Sequence, residues 1–295
     1  MTGKVGIIGL GVVGTAVGVV LSNKGYEITG VYDKLSESTQ GLVGRIGCAT
    51  CSSPQEVSRS ADILFITTSD MAIRDVADKL AESGAFHSGQ TVIHMSGSQT
   101  SQLLENASAF GAFVLSIHPL QSFASVDRAI ANLPGSIFSI EGDTEAYELG
   151  RTLVTALGGE SFIIDRYAKV LYHAGACTVS NYLVTVIDFG MRLLQAVGLP
   201  RQEASRALFP LIQGSINNVG EVGIPAALTG PIARGDIKTV LDHLQGLEGS
   251  MRQDRLLYAC LGLYTVPVAL DKGTIDAKQA ARFREIFTEA IHDEI

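Results

Sequence analysis

The sequence predicts an α/β domain with a doubly wound sheet, followed by an all-α domain. Three observations carry that expectation. Short apolar runs alternate with helical patterns from Lys4 onward, a glycine-spaced turn opens the first helix, and beyond Asp165 the strand signal gives way to long helical patterns. The boundary falls at 165/166, with an α/β domain over 1–165 and a helical domain over 166–295. The chain has 295 residues, 46% of them apolar and 18% charged, with a mean hydropathy of +0.26. That length suits two domains, and that composition fills two cores.

The first strand, in KVGIIG, runs into Gly9-Leu10-Gly11-Val12-Val13-Gly14 and then into a helix that ends near Gly25. A lone G-x-G-x-x-G is a weak signal. Here it follows a strand, opens a helix and precedes a second strand, YEITGVYD, ending on Asp33 about twenty residues later. Gly9 permits the tight turn, Gly11 lets the backbone approach a pyrophosphate, and Gly14 lets helix and strand pack closely. Leu10, Val12 and Val13 complete a loop whose helix end offers free N–H groups and a positive dipole to phosphate. The loop and Asp33 are therefore expected to bind NAD or NADP. Asp33 tilts the expectation towards NAD, because its carboxylate accepts hydrogen bonds from both ribose hydroxyls and repels a 2′-phosphate. Lys34 and Arg45 partly offset that repulsion.

No residue from Val5 to Asn23 is charged, so the run superficially resembles a membrane span or signal peptide. Its five glycines favour a buried strand, turn and helix instead, and no membrane partner is expected.

Further strands are expected at ADILFITT, QTVIHMSG, AFVLSIHP and SIFSIEG, with helices in DMAIRDVADKLAES and DTEAYELGRTLVTALGG. Ligands in such sheets sit beyond the carboxyl ends of the strands. That rule adds Thr67, Thr68, Ser69, Ser96 and Gly97 to the cofactor site and places His118 on the wall of a substrate site. Helix capping explains the Ser and Thr clusters equally well.

Helices are expected over roughly 166–198, 201–222, 234–246, 249–271 and 276–293. In AKVLYHAGACTVSNYLVTVIDFG, residues Lys169, His173 and Ser180 project within about 40° of one another. A cation, an imidazole and a hydroxyl on one apolar helix suit acid catalysis of carbonyl reduction. Lys169 is then the proton donor, with His173 orienting the substrate or relaying the proton, or else His173 donates while Lys169 holds a carboxylate; Ser180 hydrogen-bonds the substrate. The structural alternative is a snorkelling lysine and a satisfied core histidine. In ALTGPIARGD, Thr229 and Arg234 are candidate substrate contacts, with Arg234 clamping a carboxylate. Helix capping is the competing role for this turn.

The net charge of −8 and a pI near 5.3 exclude a general nucleic-acid surface. Cys48 and Cys51 form a C-x-x-C, but no second pair or nearby histidine completes a zinc site, and no metal is expected. Few, unpaired cysteines suit a reducing cytoplasm.

The motifs HMSGS (94–98), HPLQSF (118–123), Lys169 with His173, SNY (180–182) and ALTGPIARGD (227–236) together resemble one bacterial family. Its members join a Rossmann-like domain to a C-terminal helical domain of unassigned function. More distantly, the chain is similar to ketopantoate reductases, 3-hydroxyacid dehydrogenases and pyrroline-5-carboxylate reductases. In the hydroxyacid enzymes a lysine on the first long C-terminal helix is followed four residues later by asparagine. This chain keeps the lysine as Lys169 and has His173 in place of the asparagine. The resemblance implies an NAD(P)-dependent oxidoreductase, dimeric through its helical domain, that reduces a small 2-oxo acid of ketopantoate type. Two alternatives stay open. One is a cyclic-imine reductase, whose substrate arrives as an iminium and needs less from Lys169. The other is a non-catalytic dinucleotide sensor with a protein partner.

Overall fold

The computed structural model describes residues 3–249 and 251–293. Its strands are β1 (Lys4–Ile8), β2 (Glu27–Tyr32), β3 (Ile63–Ile66), β4 (Thr91–His94), β5 (Phe113–Pro119), β6 (Ile137–Gly142) and β7 (Glu160–Ile163). The helices of the α/β part are α1 (Val12–Asn23), α2 (Ser36–Ile46), α3 (Pro54–Arg59), α4 (Asp70–Glu82), α5 (Glu105–Ser108), α6 (Val126–Asn132) and α7 (Tyr147–Ala156). They are followed by α8 (Lys169–Ala196), α9 (Arg201–Val222), α10 (Ile237–Gly246), α11 (Arg252–Asp271) and α12 (Ala277–His292).

The strands form one sheet in the order β2-β1-β3-β4-β5-β6-β7. Neighbours run parallel except β5 and β6, which pair antiparallel from Leu115↔Gly142 to Pro119↔Phe138. Successive strand residues face opposite sides. Val5, Ile7, Phe65, Ile93 and Leu115 pack on one face with residues of α1, α6 and α7. Ile8, Leu64, Ile66, Val92 and Val114 pack on the other with residues of α3 and α4. Burial on both faces explains why the central strands read as unbroken apolar runs. The edge strand β7 escaped the sequence reading because its burial is slight and it begins with Glu160 and Ser161.

The chain divides into two compact units, one ending at Tyr182 and the other beginning at Leu183. The division lies inside α8 rather than at 165/166. Composition changes where the sheet ends, but the first turns of α8 still pack on the sheet through Lys169 and Tyr172. Arg166–Ala196 is long and apolar enough, by length and composition, to cross a membrane, with a mean hydropathy of 1.3.

The second unit has its own core, in which Val240 and Leu244 of α10 meet Ala259 and Val266 of α11 and Phe283 and Phe287 of α12. Arg192 of α8 pairs with Asp254 of α11 at 2.7 Å. Asp276 caps α12 in a reciprocal box with Gln279.

Candidate functional site

A cavity of about 660 Å³ opens at the carboxyl ends of β1, β2 and β3. Gly9, Gly11, Asp33, Thr67, Thr68 and Ser69 line it. Gly9 has φ +93°, a left-handed geometry suited to glycine. A Cβ on Gly14 would lie 2.1 Å from the Gly9 carbonyl oxygen, so only glycine lets α1 approach the turn this closely. A Cβ on Gly11 would meet nothing within 4 Å. Thus Gly14 serves packing, whereas the space beside Gly11 is open. No side chain caps the N-terminus of α1 and no acid lies in its first turn. Its N–H groups and dipole therefore fit a pyrophosphate. Leu10, Val12, Val13 and Gly14 shape the loop without lining the cavity.

Asp33 is more constrained than expected. Its Oδ2 accepts from the Leu10 N–H at 2.6 Å, and its Oδ1 accepts from the Leu35 N–H at 2.8 Å. The carboxylate thus braces the glycine loop as well as facing the cavity. Lys34 and Lys79 line the same cavity, the latter delivered by α4 with no local sequence signal.

A second cavity, a groove of about 410 Å³, lies at the end of β5. Its lining includes His118, Phe123, His173, Cys177, Ser180 and Asn181. His173, Ala176, Cys177 and Ser180 follow the i, i+3, i+4, i+7 spacing of one helix face. His118 Nδ1 lies 2.8 Å from the Tyr172 hydroxyl, and the His118 and His173 rings meet edge-on with centroids 6.0 Å apart. Both rings pack on Gly97, where a Cβ would come within 2.6 Å of His173 Nδ1 and 2.7 Å of His118 Nε2. His173 Nδ1 is buried there without a hydrogen-bond partner, while Nε2 lies 3.5 Å from Cys177 Sγ. The Ser180 hydroxyl is 2.7 Å from both the Ala176 carbonyl and Asn181 Oδ1.

Lys169 departs from its expected place. It is 0% exposed and does not line the groove. Its Nζ donates to Ser116 Oγ at 2.5 Å and to the Ser96 carbonyl at 3.1 Å. Burial lowers its pKa to about 8, while Glu141 and Asp70 pull the other way. One residue of the stripe therefore lies beneath the sheet ends, and two face the groove. The expected proton donor has no open path to a ligand there.

Burial holds His118 at a pKa of about 4, with Lys169 and His173 adding to the effect and Asp70 opposing it. His94 is likewise held at about 4, chiefly by burial. Its Nδ1 accepts from the Ser96 N–H at 3.2 Å, so Nε2 carries the proton and donates to the Thr100 carbonyl at 3.0 Å. Ser96 Oγ donates to Asp70 at 2.7 Å and accepts from the Gln99 N–H at 3.1 Å. Ser96 is thus an internal brace, and Gly97 a platform for the two imidazoles.

Thr229 and Arg234 belong to the second unit and are exposed. The cap of α10 is Asp236, which accepts from the Thr239 N–H at 3.1 Å. Cys48 packs against the core on one face of the sheet and Cys51 against the core on the other, and burial raises both thiols. Tyr172, Cys177 and Asn181 escaped the site prediction. The helical spacing from His173 could have indicated Cys177, whereas the pairing of Tyr172 with His118 depends on β5.

No curated protein sequence matches the chain. The Rossmann-like domain family matches residues 2–119, and the domain of unknown function DUF2520 matches residues 136–265. Among solved structures, a Bacteroides fragilis protein provisionally classed as an NADP oxidoreductase superposes with a TM-score of 0.71. It is 23% identical, over 88% of this chain and 96% of its own. An imine reductase from Pseudomonas has a TM-score of 0.64 at 18% identity, over 99% of this chain and 100% of its own. A reductive aminase from Aspergillus terreus, solved with NADPH and ethyl-5-oxohexanoate, has a TM-score of 0.61 at 17% identity, over 99% and 95%. At these identities the likeness is one of fold. Glycine loop and sheet order agree with the Rossmann-like match, and the DUF2520 match follows it along the chain.

Proposed function

We propose that the protein is an NAD(P)H-dependent reductase of a C=N double bond, acting on a small cyclic imine as its iminium. The observation that carries this is the charge of the groove. Among the described residues that line it, none has a cationic side chain. The nearby cation, Lys169, is turned to Ser96 and Ser116, and two acids, Glu141 and Asp70, act on it. A 2-oxo acid needs a cation on the groove for its carboxylate, whereas a cyclic imine has no carboxylate to pair.

The Gly9–Gly11 turn and the α1 N-terminus would hold the pyrophosphate, and Asp33 would meet the adenosine ribose. Lys34 and Lys79 on the same cavity support acceptance of NADP beside NAD. The bound dinucleotide supplies hydride. Addition of hydride to an iminium carbon leaves a neutral amine, so no side chain has to deliver a proton in that step. The rings of His118 and His173, with Ser180 and Asn181, orient the substrate by hydrogen bonds. Leu120, Phe123 and Val179 contribute an apolar wall that keeps water away.

A homodimer belongs to the same proposal. Val170, Leu171, Val179 and Val184 of α8 and Phe209, Leu211 and Val222 of α9 are each at least 59% exposed. So much aliphatic surface on two adjacent helices of the chain suits cover by a second copy.

The test is NADH and NADPH oxidation with five- and six-membered cyclic imines against a panel of 2-oxo acids. Imines are expected to exceed the acids in kcat/KM by at least about tenfold. Turnover of acids alone would contradict the assignment, and cofactor binding without turnover of either class would point to a sensor.

A further inference from the structure

Lys169 is among the largest fully buried side chains of the protein, beside Phe65 and Phe138. The next two residues of the same helix, Val170 and Leu171, are 70% and 78% exposed. The helix therefore hides its lysine and presents its aliphatic side chains, the reverse of the ordinary arrangement. Burying an ammonium costs stability unless its surroundings compensate. Here the compensation is built in, with Ser116 Oγ and the Ser96 carbonyl accepting hydrogen bonds and Glu141 and Asp70 opposing the charge. Glu141 is itself held by the Ser101 N–H at 2.7 Å and hydroxyl at 2.8 Å.

Ser96, whose carbonyl Lys169 grips, precedes Gly97, and Gly97 is the surface on which His118 and His173 pack. We infer that Lys169 is a positioning residue: its buried ammonium fixes the Ser96–Gly97 backbone beneath the two imidazoles. The groove then offers its ligand two hydrogen-bonding rings held in place. His118 is faced by Lys169, Tyr172 and His173 from α8, by Asp70 from α4 and by His94 from β4. His173 is faced by Cys177 on its own helix and by His118 from β5. Of these groups, Lys169 is the one that brings a positive charge at neutral pH, lost as the pH passes about 8. The purpose given to the two rings rests on the reductase assignment, but their coupling to Lys169 does not.

The experiment is a pH titration of the imidazole nitrogens by NMR on the full chain without cofactor. In the wild type, His118 is expected to show the neutral pattern at pH 6, and both rings a shift step near pH 8, where Lys169 loses its proton. Lys169→Met should raise the His118 midpoint by about one unit, and Lys169→Arg, which keeps the charge, should not. Absence of the step near pH 8, or an unchanged midpoint in Lys169→Met, would overturn the inference. So would a step that disappears in Cys177→Ser, since the thiol would then be its source. If Lys169→Met does not fold, the wild-type step and its persistence in Cys177→Ser decide the matter. Loss of the step with imine turnover intact would refute this coupling alone. A normal step without any turnover would refute only the reductase assignment.

Discussion

Gly11 and Gly14 belong to one turn but are required for different reasons. The space beside Gly11 is open, so Gly11→Ala is expected to fold with a melting temperature close to wild type. Its methyl group would project where the pyrophosphate must come, and NAD(P) affinity should fall by at least about tenfold. Gly14→Ala drives a methyl group against the Gly9 carbonyl and should lower stability itself, by about 1–3 kcal/mol. Calorimetric titration beside thermal melts separates the two effects, and equal loss of stability in both variants would contradict them. The buried histidines set a pH dependence of stability. His94 and His118 titrate at about 4 when folded against 6.5 unfolded. The unfolded chain therefore binds more protons between these values, and stability present above pH 6.5 is lost as pH falls to about 4. Each shift corresponds to roughly 3 kcal/mol. Lys169 acts at the other end: at about 8 folded against 10.5 unfolded, it lets stability rise between those values. Urea unfolding from pH 4 to 7 should show the acid loss, with a shallower slope in His94→Gln; a parallel slope would show that other groups carry it. At this scale the sequence was informative where chemistry is local. The glycine spacing and Asp33 were legible, but Asp33's bond to the Leu10 N–H and the burial of Lys169 depend on contacts distant in sequence.

Among the elements, α8 decides most. Its stripe of His173 and Ser180 could be read from the helical period, and both residues line the groove. Lys169, one turn earlier, fits the same stripe in projection, yet β4 and β5 end above it and enclose its ammonium. Periodicity gives the direction of a side chain but not the neighbour it meets. The same limit explains α4, whose Lys79 reaches the cofactor cavity only because β3 lies beside β1. Strand β7 was hidden by its polar start, and the antiparallel run of β6 leaves no mark in its own residues. The exposed aliphatic surface of α8 and α9 leads to an oligomer prediction. Sedimentation velocity at micromolar concentration should give a dimer, and Phe209→Glu should shift it towards monomer, since Phe209 is 66% exposed in the single chain. A wild-type monomer would contradict this. Asp276→Ala, which opens the reciprocal cap of α12, should cost about 1 kcal/mol in urea unfolding without changing cofactor affinity.

Across the whole molecule, the sheet gathers two cavities at its carboxyl ends, one lined by the glycine turn and Asp33 and one by His118 and His173. The order of elements was legible because both sheet faces are buried and the strands carry unbroken apolar runs. The choice of substrate was not, because the charge of a groove depends on which residues turn away from it. The sequence pattern made Lys169 a proton donor for a 2-oxo acid; the structure encloses it between Ser96 and Ser116, off the groove lining. Hydride transfer can be followed directly by incubating the protein with NADPH deuterated at the transferring position and a cyclic imine, then weighing the product amine. The expected result is an amine carrying a single deuterium at the former imine carbon, formed in step with oxidised cofactor. An unlabelled or absent amine, with NADPH bound but unconsumed, would contradict the assignment of this protein as an imine reductase.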